Sequence, residues 1–423
     1  MKTLHLTNAW HSQSGGIATF YRELIAAAPA HDRQVTLVVP AGEDGFEQVN
    51  THARIWRLRS PRAPFNRHYR LILPHRYLVP STRLQRILRE EQPDLIEITD
   101  KYSLPYLAGL IRREWLRTGG PRPVLVGLSC ERMDENVAAY LSPGAHARAF
   151  AAWYMKWIYF AQFDHHIAVS NHTAAELRAA ARSHLVRRGV WVMPMGTDVR
   201  TFSPALRDEA LREQLLSLAG GHRGSRLLVY AGRLAPEKNL LLLAETLAAR
   251  RGEDWRLVIA GTGIAARQLR DALEPGRFAL LGHIEDRARL AALLASCDVF
   301  VHPNPREPFG IAPLEAMASG LPLVAPDQGG VTTYADPSVA SLAPPDAASF
   351  AAAVRLALRQ PPEKTARALA RARQFAWPAV IARYFELYEE IHARFWNLPC
   401  RGIPPAFFST PGDWLGREAA SQH

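Results

Sequence analysis

Glu307-Pro308-Phe309-Gly310-Ile311-Ala312-Pro313-Leu314-Glu315-Ala316-Met317-Ala318-Ser319-Gly320 holds two glutamates eight positions apart. Glu307 precedes a Pro-Phe-Gly turn, and Glu315 falls inside the short helix predicted after it. Carboxylates accept hydrogen bonds from hydroxyls, while the first turn of a helix presents N–H groups and a positive dipole end to an anion. A ligand carrying hydroxyls and phosphates together, such as a nucleotide sugar, fits that combination.

Some seventy residues earlier stands Tyr230-Ala231-Gly232-Arg233-Leu234-Ala235-Pro236-Glu237-Lys238-Asn239-Leu240, directly after an apolar run. Arg233 and Lys238 flank a proline turn. Two cations so placed can hold a diphosphate and offset the charge that builds on it as a sugar departs. Gly15-Gly16 follows the first strand and opens a helix, which lets the backbone approach a phosphate. A further turn, Ala260-Gly261-Thr262-Gly263, positions a loop near the nucleotide. At the centre of the chain, Gly196-Thr197-Asp198-Val199-Arg200-Thr201-Phe202-Ser203-Pro204 reads as a junction, with Asp198 as a turn or cap residue.

Short apolar runs alternate with longer helical patterns throughout, among them Leu4–Thr7, Val35–Val39, Leu95–Ile98 and Val124–Leu128, and later Leu227–Tyr230, Leu257–Ala260 and Val299–Val301. Strands apolar on both faces and separated by helices imply parallel sheets covered on both sides. The rhythm restarts near Arg226. The expected fold class is therefore α/β, with two Rossmann-like parallel-sheet domains facing across a cleft and the informative residues just after strands. Four segments are expected: residues 1–195, an N-terminal acceptor-binding domain; 196–376, a C-terminal nucleotide-sugar domain; 377–396, a helix returning to the N-terminal domain; and 397–423, a proline- and glycine-rich tail.

With 423 residues, 48% of them hydrophobic, the chain can bury two cores. Its three cysteines, Cys130, Cys297 and Cys400, are too scattered for a disulfide framework or a zinc cluster. Met1 leads straight into a strand, no signal peptide is visible, and no run reaches the roughly 18 apolar residues of a spanning helix. The expected location is cytoplasmic, peripheral on the inner face of the membrane. Net charge is +11, and residues 1–200 carry 26 Lys and Arg against 17 Asp and Glu. Ten arginines lie between Arg54 and Arg89, interleaved with Trp56, Tyr69 and Tyr77, and Phe150, Trp153, Tyr154, Lys156, Trp157, Tyr159, Phe160 and Phe163 crowd one helical stretch. Basic and aromatic residues on a helix surface suit anionic lipid heads; the same aromatic stretch also reads as a buried core helix.

The Gly-Arg-Leu-Ala-Pro-Glu-Lys-Asn block, the paired glutamates and the Gly-Thr-Asp-x3-Phe-x-Pro junction together resemble the family 4 retaining glycosyltransferases (glycosyl transferases group 1) with the GT-B fold. The likeness spans about residues 1–395. It implies that Arg233 and Lys238 bind the donor diphosphate, Glu315 the ribose hydroxyls and Glu307 the transferred sugar. Backbone amides at Gly310 and Ile311 contact sugar or phosphate, Gly16 approaches the phosphate, and Ile284 lies in the base-contacting loop. The family places a histidine after the strand Val124–Leu128; here Cys130 or Glu131 takes that place. No Asp-x-Asp motif occurs, so a metal-bridged diphosphate is not indicated, and Arg233 and Lys238 take the metal's part. The implied activity is metal-independent transfer of a hexose, mannose or glucose, from GDP-mannose or UDP-glucose to a hydroxyl of a lipid-linked or saccharide acceptor, with no cofactor and no nucleic acid. A soluble sugar phosphorylase or synthase of the same fold, and a non-catalytic basic binding module, are the alternatives.

Overall fold

The computed structural model describes residues 1–11, 15–63, 66–79, 81–140, 144–181, 189–250 and 252–397. The tail beyond Asn397, with Cys400, lies outside them. The chain forms two compact units. One contains Met1–Met195 and the segment that begins at Trp377; the other is Gly196–Ala376.

In the first unit the strands are β1 (Lys2–Thr7), β2 (Gln34–Ala41), β3 (Gly45–Gln48), β4 (Ala53–Arg59), β5 (Arg62–Ala63), β6 (Asn66–Arg70), β7 (Leu95–Thr99), β8 (Val124–Ser129), β9 (His165–Ala168) and β10 (Val190–Val192). Eight of them make one sheet in the order β10-β9-β8-β7-β1-β2-β4-β3, parallel except for β3, which runs antiparallel to β4 at the edge. The hairpin β5–β6 stands apart. Every residue of β7 and β8 is buried, as a strand with helices over both faces requires. The antiparallel edge and the hairpin escape a reading based on apolar runs because Gly-Phe-Glu-Gln and Asn-Arg-His-Tyr-Arg are largely polar.

The helix Trp377–Phe395 packs on this unit along one side. Tyr384 Oη donates to Met193 O at 2.9 Å, and Tyr388 Oη to Glu97 Oε2 at 2.6 Å. Glu97 is wholly buried and also takes bonds from Tyr21 Oη at 3.0 Å and from His5 Nδ1, 3.0 Å away. A buried carboxylate is tolerable only with such partners. These bonds tie the helix to β1 and β7.

The second unit holds β11 (Arg226–Ala231), β12 (Trp255–Ala260), β13 (Phe278–Gly282), β14 (Val299–Val301), β15 (Leu323–Pro326) and β16 (Ser341–Ala343). All are parallel, in the order β13-β12-β11-β14-β15-β16. The order reverses between β11 and β14. In doubly wound sheets that reversal opens a crevice at the carboxyl ends of the two strands, where ligands bind. Leu228, Tyr230, Leu257, Ile259, Val299 and Val301 join Trp255, Phe350 and Val354 in the core beneath it.

Candidate active site

The chain leaves β11 through Gly232-Arg233 and leaves β14 through His302-Pro303-Asn304, so both exits flank the reversal in the second sheet. Asn239, with φ +53, follows the one-turn helix Pro236–Lys238, and its Nδ2 donates to Pro303 O at 3.1 Å. This bond fixes the loop bearing Lys238 against the loop that leads to Glu307.

Glu307 Oε2 accepts from Lys238 Nζ at 2.8 Å and Asn304 Nδ2 at 2.9 Å, with His302 Nε2 3.8 Å away. Among the described residues none hydrogen-bonds Oε1. Burial alone would raise the Glu307 pKa, but the Lys238 ammonium, His302 and the two hydrogen bonds outweigh it and bring it to about 2. Burial moves His302 the other way, down to about 4, so its ring is neutral at pH 7. One carboxylate oxygen is thus pinned and the other is open to a hydroxyl. Lys238 spends one of its three N–H donors on Glu307, leaving donors for an anion.

The backbone around Glu307 is equally constrained. Gly330 N donates to Glu307 O at 2.6 Å, and a Cβ on Gly330 would stand 2.0 Å from Pro308 O. Gly310 adopts φ +88 and accepts from Tyr334 Oη at 2.6 Å. It opens the helix Ile311–Ala318, whose third position is Pro313. Proline is tolerated there because a first-turn N–H has no intrahelical acceptor. The N–H groups of Ile311 and Ala312 share that position and remain for a ligand.

Glu315 lies on the same helix and is 3% exposed. Arg287 Nη2 is 2.8 Å from its Oε1. Burial raises the Glu315 pKa and Arg287 opposes the rise. Ile284, half-buried, lies in the loop that joins β13 to the helix Arg287–Ala295. Arg233 is largely exposed, 3.4 Å from Glu237 Oε1.

Gly261 and Gly263 serve the Arg233 loop by close approach. Their Cβ atoms would stand 1.9 Å from Gly232 O and 2.1 Å from Leu234 O. Leu234 N donates to Thr262 O, and Ala265 N to Leu234 O, both at 2.9 Å. Only glycine lets the two backbones lie this near.

Gly15, Gly16 and Glu131 belong to the first unit. Its strand order reverses between β1 and β7. Gly15 and Gly16 follow β1, and Gly16 begins the helix Gly16–Ala27. A Cβ on Gly15 would meet open space, so packing makes no demand for glycine there. After β7, the buried Lys101 ammonium pairs with Glu176 Oε2 at 2.6 Å and donates to the Glu131 carbonyl. Glu176 Oε1 in turn accepts from Met133 N and Asp134 N at 2.7 and 3.0 Å. These bonds shape the loop after β8. Glu131 Oε2 accepts from Asn136 Nδ2 at 2.7 Å, and burial raises its pKa. Burial also pushes the neighbouring Cys130 thiol well up, so it is protonated at neutral pH.

The family description Glycosyl transferases group 1 matches residues 225–360, and Glycosyltransferase Family 4 matches residues 14–201. A GDP-mannose-dependent alpha-mannosyltransferase of Mycolicibacterium smegmatis is 34% identical over 292 residues, 69% of each chain. The chain belongs to glycosyltransferase family 4. A GDP-mannose-dependent alpha-(1-6)-phosphatidylinositol dimannoside mannosyltransferase of Mycobacterium tuberculosis is 29% identical over 385 residues, 90% of this chain and 94% of the relative. Among solved structures, a sucrose-phosphate synthase from Thermosynechococcus elongatus superposes with a TM-score of 0.70 at 19% identity, covering 93% of this chain and 99% of that one. Anabaena HepE with UDP and glucose gives 0.66 at 21%, covering 92% and 100%. These likenesses carry the GT-B fold.

In this glycosyltransferase, Lys238, Glu307, Gly310, Ile311 and Glu315 share the loops and helix of one unit. Lys238 and Glu307 are in direct contact; Glu315 contacts Arg287 instead. The sequence reading passed over His302, Asn304, Arg287, Gly330, Lys101 and Glu176. His302 and Asn304 follow β14 directly, so the carboxyl-end rule alone could have flagged them. Arg287, Gly330 and Glu176 carry no such local signal. Among the described residues no three His, Cys, Asp or Glu side chains group as metal ligands, and no helix is long and apolar enough to cross a membrane.

Proposed function

We propose that this glycosyltransferase moves mannose from GDP-mannose to a hydroxyl of a lipid-linked acceptor, retaining the anomeric configuration and using no metal ion. Arg233 and Lys238 take the diphosphate, with the N–H groups of Ile311 and Ala312 adding positive charge. Glu307 takes the sugar hydroxyls through Oε1, and Glu315 takes the ribose. Ile284 contacts the base, Gly261 and Gly263 support the diphosphate loop, and Gly15 and Gly16 are further phosphate contacts. Glu131 stands in for the family's histidine toward sugar or acceptor. In this reading Gly196–Ala376 is the donor unit, Met1–Met195 with the helix from Trp377 is the acceptor unit, and the enzyme works at a membrane surface.

The observation that carries the reading is the Glu307 junction. A lysine placed to neutralise a leaving diphosphate also fixes the carboxylate that would face the sugar. Relatives named for GDP-mannose favour mannose over glucose, and the one named for a phosphatidylinositol mannoside favours a lipid acceptor.

A donor and acceptor panel tests this. The purified chain is offered GDP-mannose, UDP-glucose and ADP-glucose with a phosphatidylinositol mannoside, a polyprenyl-linked sugar and free oligosaccharides. An α-mannosylated lipid, seen by mass spectrometry and NMR, is the expected product. Transfer only from a glucose donor, only to free sugars, or with a β-linkage contradicts the corresponding part.

A further inference from the structure

The Gly196–Pro204 segment is built to hold one ring. Asp198 Oδ1 accepts from Arg200 N and Thr201 N, each at 3.1 Å, and Phe202 N donates to Asp198 O at 2.9 Å. Thr197 N donates to Phe375 O at 2.8 Å, while Pro204 packs under Gly320, whose Cβ would stand 2.9 Å from Pro204 Cγ. Between these anchors Phe202 is 1% exposed.

The Arg287 guanidinium lies over the Phe202 ring, 4.7 Å from its centroid, with Nη2 2.8 Å from Glu315 Oε1. A free arginine would lose rotamer entropy on meeting a carboxylate. An aromatic face restricts that freedom beforehand and attracts the cation. Glu315 has little other support. It is nearly buried, and Arg287 is its ion-pair partner. Arg287 also begins the helix that follows the Ile284 loop.

We infer that Arg287, seated on Phe202, is the positioning residue of the nucleoside end of the donor site: it holds Glu315 aimed for ribose hydroxyls. The Gly-Thr-Asp-x3-Phe-x-Pro segment acts by seating Phe202 beneath it. The inference rests on the reading of Glu315 as the ribose contact. The donor site thereby has two separable halves, Arg233 and Lys238 for the diphosphate and Arg287 with Glu315 for the nucleoside. The titratable groups facing Glu315 are Arg287, Asp198 from the junction segment and the Tyr334 phenol. Arg287 is the cation among them.

Calorimetric titration with GDP and with inorganic pyrophosphate, from about pH 5.5 to 8.5, compares wild type, Arg287→Met, Arg287→Lys, Phe202→Leu and Glu315→Gln. Arg287→Met is expected to weaken GDP about tenfold while pyrophosphate binding stays unchanged. The loss deepens toward low pH, because Glu315 without its cation takes up a proton more readily. Arg287→Lys restores most of the affinity, Phe202→Leu shows a smaller loss of the same pH dependence, and Arg287→Met adds nothing in a Glu315→Gln background. Wild-type GDP affinity in Arg287→Met alongside an impaired Glu315→Gln overturns the inference alone. So does a parallel loss of GDP and pyrophosphate in Arg287→Met. Undiminished GDP binding by Glu315→Gln overturns the reading of Glu315 beneath it.

Discussion

Lys238 Nζ and Glu307 Oε2 stand 2.8 Å apart, both side chains about 15% exposed, and join the loop after β11 to the loop after β14 at the strand-order reversal. The contact gives each group two duties. Lys238 holds the carboxylate in place while keeping N–H donors for an anion. Glu307 gives one oxygen to the lysine and keeps the other.

Substitution of either group is expected to cost far more in turnover than in folding. Lys238→Met and Glu307→Gln should each lower kcat by about a hundredfold or more. Stability should fall by about 1–3 kcal/mol, most in Lys238→Met, which leaves Glu307 charged and without its cation. Steady-state kinetics and thermal melts on the same preparations check this. The double variant should lose little more than the worse single one, because the two act as a unit.

Acid stability should carry the signature of His302 and Glu307. The His302 pKa lies near 4 in the fold against an ordinary 6.5, so the unfolded chain binds its proton first and stability falls as pH drops from 6.5 toward 4. Glu307, near 2 against 4.5, contributes stability that is whole above 4.5 and is lost as pH falls toward 2. Denaturant unfolding against pH should show His302→Gln flattening the upper stretch and Glu307→Gln the lower one. An unchanged slope in both would contradict these assignments.

Backbone approach should separate the glycines. Gly330→Ala drives a Cβ to 2.0 Å from Pro308 O and must displace Glu307; turnover should drop at least tenfold, with stability down by about 2 kcal/mol or more. Gly261→Ala meets Gly232 O at 1.9 Å and should damage donor binding through the Arg233 loop. Gly15→Ala enters open space and should leave the melting temperature within about a degree of wild type.

The helix Ala145–Tyr154 and the turn after it present Phe150, Trp153 and Trp157, each about half exposed, while Tyr154, Met155, Tyr159, Phe160 and Phe163 are buried. The aromatic stretch thus divides between core and surface. His146, Arg148 and Lys156 accompany the exposed rings, with no acidic residue from Gly144 to Phe163. Binding to vesicles rich in anionic lipid, and little binding to neutral ones, is expected, with loss on changing the three exposed rings to serine. Equal sedimentation with both vesicle types would remove the membrane from the account.

The strands and the loops that follow β11 and β14 were legible because they obey local rules. β7 and β8 are short, mainly apolar runs, and Gly-Arg…Lys and Glu-x7-Glu are fixed spacings within short stretches of chain that follow strands. What the chain hides are pairings between distant segments. Arg287 meets Glu315 across 28 positions and Gly330 grips Glu307 across 23, and no periodicity reports either. β3 was illegible for another reason, since an edge strand exposed to water need not be apolar, and the short β5–β6 hairpin is built from mostly polar residues. Lys101, just past β7, meets Glu176 on the helix Asn171–Ala180 across 75 positions, and a lone lysine in a sequence looks like surface.

Mannose transfer from GDP-mannose to a lipid-linked acceptor in excess EDTA, compared across wild type, Lys238→Met and Glu307→Gln, separates catalysis by the Lys238–Glu307 pair from catalysis by a metal ion. Full wild-type transfer in the chelator and near-complete loss in both variants, with folding intact, are the expected results. Transfer that the chelator abolishes and added metal restores, or variants that turn over at the wild-type rate, would contradict catalysis by the pair.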